Sequence, residues 1–394
     1  MIDPGERKAM MTARFRQLYG RDPQVWSRAP GRVDLMGSHT DYNQGYVMTM
    51  TIDRDTWVAA ASRPDRRVAV CSLNIEGCNE FGLDDLAQPL QLPASPTDWT
   101  SYVAGVAWAL GADGWPLSGF DGLVHSTVPF GSGLSSSAAL EMAVASLFEA
   151  LGGYQVDRLR LARLGQQAEN QYVGMSCGIL DQFSSVMGRA GGTILLDCRS
   201  LSGQIIPMAS DLAVVICDTR LERHLVGTEY SERRAQCEQG ARLLSGYYPQ
   251  VKTLRDVSED MLFRRRADLP EVVYKRCQFI VEENRRVLEL AACLPHGDRA
   301  CLGALFAASF AGARDLYEIS VPAMQAMHLA MSAAPGVVGA RQAGAGFGGC
   351  LVALVEKARA VDFGEYVSQA YARSTGIEPS VYTVQASDGA GRLL

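Results

Sequence analysis

The sequence predicts a two-domain chain that mixes helices with strands. Its 394 residues exceed what one small core organises, since domains usually run to roughly 100–200 residues. Strand-like runs rich in β-branched residues succeed apolar stretches at helical spacing along the whole length. Each half also carries a glycine-rich turn beside a strand. Hydrophobic residues make up 47% and charged ones 20%, the balance of a globular protein. A net charge of -6 argues against a general nucleic-acid binder, so phosphates must be held by local dipoles, a few Arg and metal. The opening MIDPGERKAM has no signal-peptide core and no apolar run reaches membrane-spanning length, which leaves a cytoplasmic protein without membrane contact as the expectation. Ten scattered Cys without a CxxC pair read as buried apolar side chains in a reducing compartment.

The chain is organised around Pro129-Phe130-Gly131-Ser132-Gly133-Leu134-Ser135-Ser136-Ser137-Ala138-Ala139. An apolar run from Gly122 to Val128 leads into it, and Ala138 to Ala150 reads as a helix apolar on nearly all sides. Glycines let a backbone approach a ligand closely, and the free amides at a helix start seat phosphate. Ser135 to Ser137 add hydroxyls, one of them a candidate Mg²⁺ ligand. An ordinary strand-to-helix turn with serine caps is the plain alternative. The Lys of the common phosphate loop is missing, which excludes a Walker-type site.

In chain order, residues 5–20 predict an opening helix with Met10, Ala13, Phe15 and Leu18 on its apolar side. Ala29 to Gly45 breaks all periodicity and gathers Arg32, His39, Asp41 and Tyr42 between glycines, as binding loops do. A turn in which Asp41 and Asn43 bond their own backbone covers those two residues but not Arg32 and His39. Strands are expected at Tyr46–Ile52, Trp57–Ala61, Val68–Val70 and Thr193–Asp197, and helices from Asp98 to Leu110 and from Val156 to Tyr172. Asp181, next to a glycine and among apolar residues, is either a helix cap or a buried carboxylate that needs a partner, for which Arg32 is the candidate. A domain change is placed at Asp211, giving residues 1–210 and 211–394. The second part reads as a buried strand at Leu212–Cys217, helices over 229–244, 271–294, 300–319 and 323–332, a glycine turn from Gly339 to Cys350, a strand to Glu356, a helix and a last strand at Val381–Val384. Phe263-Arg264-Arg265-Arg266 reads as a solvated face.

GRVDLMGSHTDYN, PFGSGLSSSAA and RQAGAGFGGC, in this order, resemble the three signature segments of the GHMP small-molecule kinases, and the HTDYN ending resembles the galactokinase branch. CGILDQ at Cys177–Gln182 agrees, as does Arg223-His224-Leu225 followed by Tyr230 and Arg233-Arg234. The resemblance spans about residues 25 to 385, and five ordered motifs are far more specific than one. It implies a two-domain α+β fold, with an N-terminal nucleotide-binding domain, a ferredoxin-like C-terminal domain and the active site in the cleft between them. The implied activity is transfer of the ATP γ-phosphate to the anomeric hydroxyl of galactose.

Carried over residue by residue, Gly131, Ser132, Gly133, Leu134, Ser135, Ser136 and Ser137 would cradle the triphosphate. Ser137 and Glu169 would hold Mg²⁺, and Trp99 and Tyr102 match adenine-pocket aromatics that unaided read as core residues. Asp181 would face the sugar hydroxyl, with Arg32 between it and the γ-phosphate. His39, Asp41, Gly178 and Tyr230 match sugar-contacting positions, and Gly344 to Gly349, Gly346 among them, would complete the phosphate region. Partners are then ATP and a small sugar, with the protein a monomer or homodimer. If Arg32 pairs with Asp181, proton transfer comes late and Arg32 stabilises the migrating group.

The family pattern GRVNLIGEHTDY is broken twice: Asp34 replaces Asn, and Ser38 replaces a Glu expected to hold the sugar's sixth-carbon hydroxyl. Either a water fills the space and galactose remains the substrate, or the site takes L-arabinose, or it admits galacturonate. Phe310 and Ala311 stand where many members have His and Ser, and Phe310 reads as core packing. Ala343 replaces a Thr before the last glycines. A non-catalytic sugar and ATP sensor is the rival class, but the intact SSSAA segment with Arg32, Glu169 and Asp181 speaks for an enzyme. Mevalonate and homoserine kinases are not expected to carry HTDYN with CGILDQ.

Overall fold

The computed structural model describes residues 2–86, 99–175, 177–221 and 226–393. The chain runs α1 (Pro4–Tyr19), β1 (Val25–Met36), β2 (Tyr46–Arg63), β3 (Arg67–Ser72), β4 (Cys78–Gly82), α2 (Thr100–Ala112) and β5 (Gly119–Ser126). It continues through α3 (Ser136–Gly152), α4 (Arg158–Gln167), α5 (Leu180–Met187), β6 (Gly192–Asp197), β7 (Ser202–Pro207) and β8 (Leu212–Asp218). Helices α6 (Val226–Ser245), α7 (Glu259–Arg264), α8 (Glu271–Cys293), α9 (Arg299–Asp315) and α10 (Pro322–Ser332) follow. The last elements are β9 (Val337–Gln342), β10 (Cys350–Glu356), α11 (Ala360–Thr375), β11 (Ser380–Val384) and β12 (Gly391–Arg392).

Two sheets carry this α+β architecture. The larger has the order β12-β1-β2-β5-β3-β4, with β6 and β7 added along the start of β2. All its pairings are antiparallel except β3 with β5. The smaller, β11-β8-β10-β9, is antiparallel throughout. Helix α3 packs on β1 and β2 and is buried at every residue from Ala138 to Glu149, as its apolar periphery predicts. A separate apolar cluster joins the sheets: Val33 and Leu35 of β1 and Leu134 after β5 meet Val214, Ile216 and Val352 of the smaller sheet.

The expected opening helix is present, with Asp3 capping Gly5 and Glu6, but its inward face is Met11 and Phe15, one turn apart, while Met10 and Ala13 of the expected apolar side are exposed. Other sequence expectations also need correction. The segment read as a loop from Ala29 is a strand as far as Met36, its alternation hidden by register shifts at Pro30/Arg32 and Asp34/Met36. Tyr46–Ile52 and Trp57–Ala61 are one strand of 18 residues, because Arg7 and Arg28 neutralise Asp55 in its polar middle. The helix expected up to Tyr172 ends at Gln167 and passes into a π turn, Ala168–Val173. Four of the ten Cys are paired, Cys71 with Cys78 and Cys293 with Cys301, so only part of the reading as free buried side chains stands. No helix among the described residues is long and apolar enough to cross a membrane.

Candidate active site

Arg32 sits at the first register shift of β1, and its side chain reaches the first turn of α5. Its Nε and Nη2 donate to Asp181 Oδ1 at 2.9 and 2.5 Å, and its Nη1 donates to the Gly133 carbonyl at 2.6 Å. One guanidinium thus joins the carboxylate in the first turn of α5 to the glycine turn before α3. Burial alone would weaken the Arg32 charge, but Asp181 and Asp34 more than offset it. Both bonds fall on Oδ1, which leaves Asp181 Oδ2 for a hydroxyl proton.

The glycine turn has left-handed backbone at Gly131, Gly133 and Ser135, with φ of 68°, 86° and 59°. Alternation of this kind turns neighbouring N–H groups into a concave anion seat. Ser135 is a non-glycine residue in that strained region, and its buried Oγ has no hydrogen-bond partner within the protein. Ser136 opens α3 and Ser137 follows it.

Ser137 bonds Glu169, which the π turn swings toward α3. Gln182 Nε2 donates to Glu169 Oε2 at 2.5 Å and to Glu141 Oε2 at 2.9 Å, and Cys177 Sγ lies 3.3 Å from the same Glu169 oxygen. Burial pushes both carboxyls upward, with Glu169 repelling Glu141 and Asp181 repelling Glu169. Such an excess of carboxylate suits a hard cation with oxygen ligands. Among the described residues no group of three or more His, Cys, Asp or Glu could enclose a metal. A cation here would therefore draw on Ser137 and Glu169 together with phosphate oxygens and water, the usual arrangement for Mg²⁺.

The sugar-loop residues close the other side. Asp41 begins a short 3-10 turn after β1. Gly178 is pressed against it so closely that a Cβ there would run into Asp41 Oδ2. Burial lifts the Asp41 carboxyl to about 6 against the pull of the Tyr42 N–H, and the nearby Asp181 charge adds to the lift. His39 has φ 65° and is held neutral, burial pushing it down to about 4. Its Nε2 is 3.0 Å from the Ala345 carbonyl, so that nitrogen carries the proton and Nδ1 accepts from Tyr42 at 2.8 Å. Tyr42 continues to Tyr317 at 2.7 Å and Tyr317 to Cys237 at 3.1 Å. Tyr230 on α6 packs its ring 5.3 Å from His39 and 5.4 Å from Tyr42, facing Asp41 and Asp181.

Three family models match the chain: the galactokinase galactose-binding signature over residues 13–62, the GHMP kinase N-terminal domain over 101–189 and the GHMP kinase C-terminal domain over 290–373. A galactokinase from Roseiflexus is 43% identical over 394 residues, 100% of this chain and 98% of that one. The chain belongs to the galactokinase family. A galactokinase from Chloroflexus aggregans is 40% identical over 95% of both chains. The crystal structure of Lactococcus lactis galactokinase complexed with galactose superimposes with a TM-score of 0.92 at 33% identity, covering 98% of this chain and 99% of the other. The mevalonate kinase of Methanococcus jannaschii, at 15% identity and a TM-score of 0.63, shares the fold.

Within this galactokinase fold, several expected site residues take unexpected surroundings. Both ring nitrogens of His39 bond protein atoms, Nδ1 to Tyr42 and Nε2 to the Ala345 carbonyl. Ser38 points inward: its Oγ donates to Asp34 Oδ2 at 2.7 Å and accepts from Arg341 at 2.7 Å. Trp99 is buried in the main core and Tyr102 is half-buried against it. Gly346 packs on the Ile319 backbone, and the turn around it is tied to the sugar loop through Gly344 and Ala345. Phe310 is core, stacked on His328. Arg223-His224-Leu225 lies outside the described residues. Glu141 was missed; a lone acid within AALEMAVASLF, one helical turn after Ser137, is the signal that marks it.

Proposed function

We propose that this enzyme transfers the γ-phosphate of ATP to the anomeric hydroxyl of galactose, giving galactose 1-phosphate and ADP. The observation that carries this reading is the Arg32 bridge from Asp181 to the Gly133 carbonyl. It sets a hydroxyl-orienting carboxylate and a phosphate seat one side chain apart, and phosphoryl transfer asks mainly for alignment and charge neutralisation. The anomeric oxygen forms a bond to the γ-phosphorus as the bond to the bridging oxygen breaks. Its proton passes to Asp181 Oδ2, and Arg32 balances the charge on the migrating phosphoryl group. Backbone N–H groups of Gly131 to Ser137 hold the triphosphate, and Mg²⁺ on Ser137 and Glu169 would supply further neutralisation when bound.

Asp41, Gly178 and Tyr230 form the sugar side in this reading, and Trp99 with Tyr102 the adenine side. A division into residues 1–210 and 211–394, with the cleft between the sheets, fits the placement of β8 at the start of the smaller sheet. The test is an ADP-release assay with galactose, L-arabinose, galacturonate, glucose and N-acetylgalactosamine. Galactose should exceed each of the others at least tenfold in kcat/KM. Arabinose preferred over galactose by tenfold, about 1.4 kcal/mol in transition-state binding, overturns the choice of sugar. Tight binding of sugar and ATP without ADP release overturns the enzyme.

A further inference from the structure

Asp34 and Ser38 touch each other. Ser38 donates to Asp34 Oδ2, and Arg341 reaches both, donating to Ser38 Oγ at 2.7 Å and standing 3.6 Å from Asp34 Oδ2. Arg341 is fully buried. Its Nε donates to Ser309, which donates to Glu283 Oε1 at 2.8 Å, and Arg286 pairs with Glu283 Oε2 at 2.7 Å. Burial would raise the Glu283 carboxyl, but Arg286 and Arg341 outweigh it and hold it low. Asp34 and Glu283 face Arg341 and Arg286, with the partly exposed Glu282 also on Arg286 and Asp34 also near Arg32; in a region this buried, each charge added or removed is costly. The other oxygen of Asp34 accepts from the Gly344 N–H at 2.6 Å, so this carboxylate also fastens the second glycine turn to the sugar loop.

We propose that Asp34, Ser38 and Arg341 form one buried positioning unit: Arg341 holds both side chains close enough for a carboxylate at either position to face it, and Ser38 positions the sugar loop without reading the sugar's sixth-carbon hydroxyl. This rests on the galactokinase reading. Asp34 and Arg341 are then positioning residues, acting through the loop that carries His39 and Asp41.

The experiment is a double-mutant cycle, D34N, S38E and D34N/S38E, with S38A beside it, measured with galactose and 6-deoxygalactose. Each single change of the cycle alters the buried charge, one upward and one downward, and should lower kcat/KM for galactose at least tenfold. The double variant restores the charge and should return to within about threefold of the parent, with melting temperatures following the same pattern. Losses that multiply in the double variant, or single changes without loss, overturn the proposal. S38A should lower kcat/KM for both sugars together, their ratio staying within about twofold. A fivefold fall in that ratio means that Ser38 reads the hydroxyl and also overturns it. If the charge variants do not fold, the S38A ratio alone decides. If the parent releases no ADP with galactose, the function fails, and the melting temperatures of the cycle still test the unit.

Discussion

The sugar loop and the phosphate turn meet at Arg32 but are built on opposite principles. From Asp34 to Tyr42 almost every polar side chain is committed to another protein group: Asp34 to Ser38 and Gly344, His39 to Tyr42 and Ala345, Tyr42 to Tyr317. In the phosphate turn the Ser135 hydroxyl is buried without a partner, Phe130 is exposed, and left-handed residues expose the backbone amides. The contrast teaches how one cleft serves two substrates. A sugar is told from its isomers by the placement of a few hydroxyls, so its loop is fixed before binding. A triphosphate is recognised by charge and backbone amides, which tolerate a more open seat.

Four variants sharpen or break this contrast, beginning with the carboxylate that pairs with the shared Arg32. Asp181→Asn should lower kcat by at least a thousandfold, roughly 4 kcal/mol, with ATP affinity nearly unchanged by titration. Unchanged turnover would remove Asp181 from the chemistry. Arg32→Lys should cost about a hundredfold in kcat/KM for both substrates, because a point charge cannot span Asp181 and the Gly133 carbonyl. An effect confined to one substrate's KM would place Arg32 in one region only.

Asp41→Asn separates stability from function. The fold lifts this carboxyl from 3.8 to about 6, so the folded state loses stability as pH rises through that window. Above it the ionised group costs the fold on the order of 3 kcal/mol. The variant should therefore bind galactose at least tenfold more weakly yet resist urea better at pH 7, with the gain largely gone at pH 4.5. A gain equal at both pH values would show that the Asp41 charge is not strained. The smallest effect is expected from Gly133→Ala, where the left-handed backbone makes a side chain unfavourable by roughly 1–2 kcal/mol. It should raise KM for ATP several-fold and leave KM for galactose within twofold; a matching rise for galactose would mean that the two regions are not separable.

The legible part of the site lay in short, chemically unusual stretches. A glycine turn with three serines, and Arg32 and Asp181 as charges among apolar residues, announce themselves because local physics gives no other reason for them. Glu141 could have been read the same way. The strand through Arg32 was hidden because two register shifts erase the alternation by which strands are recognised. Glu283 gave no signal, since it sits among Glu282, Asn284 and Arg285 in a stretch that equally suits an exposed face, and Arg341, though it opens the second glycine turn, carries no local mark of its partners.

What the chain determined by itself was the kind of chemistry: phosphate held by amides and hydroxyls, a carboxylate and an Arg to aim at it, and the order of the motifs that carry them. Only the tertiary structure decided that Ser38 turns inward to Asp34 and Arg341 and that His39 spends both nitrogens on its neighbours. Motif chemistry is local and survives in the letters. The partner of a buried charge is chosen by elements some 300 residues apart, as Arg341 and Ser38 show with a separation of 303, and nothing in either segment names the other.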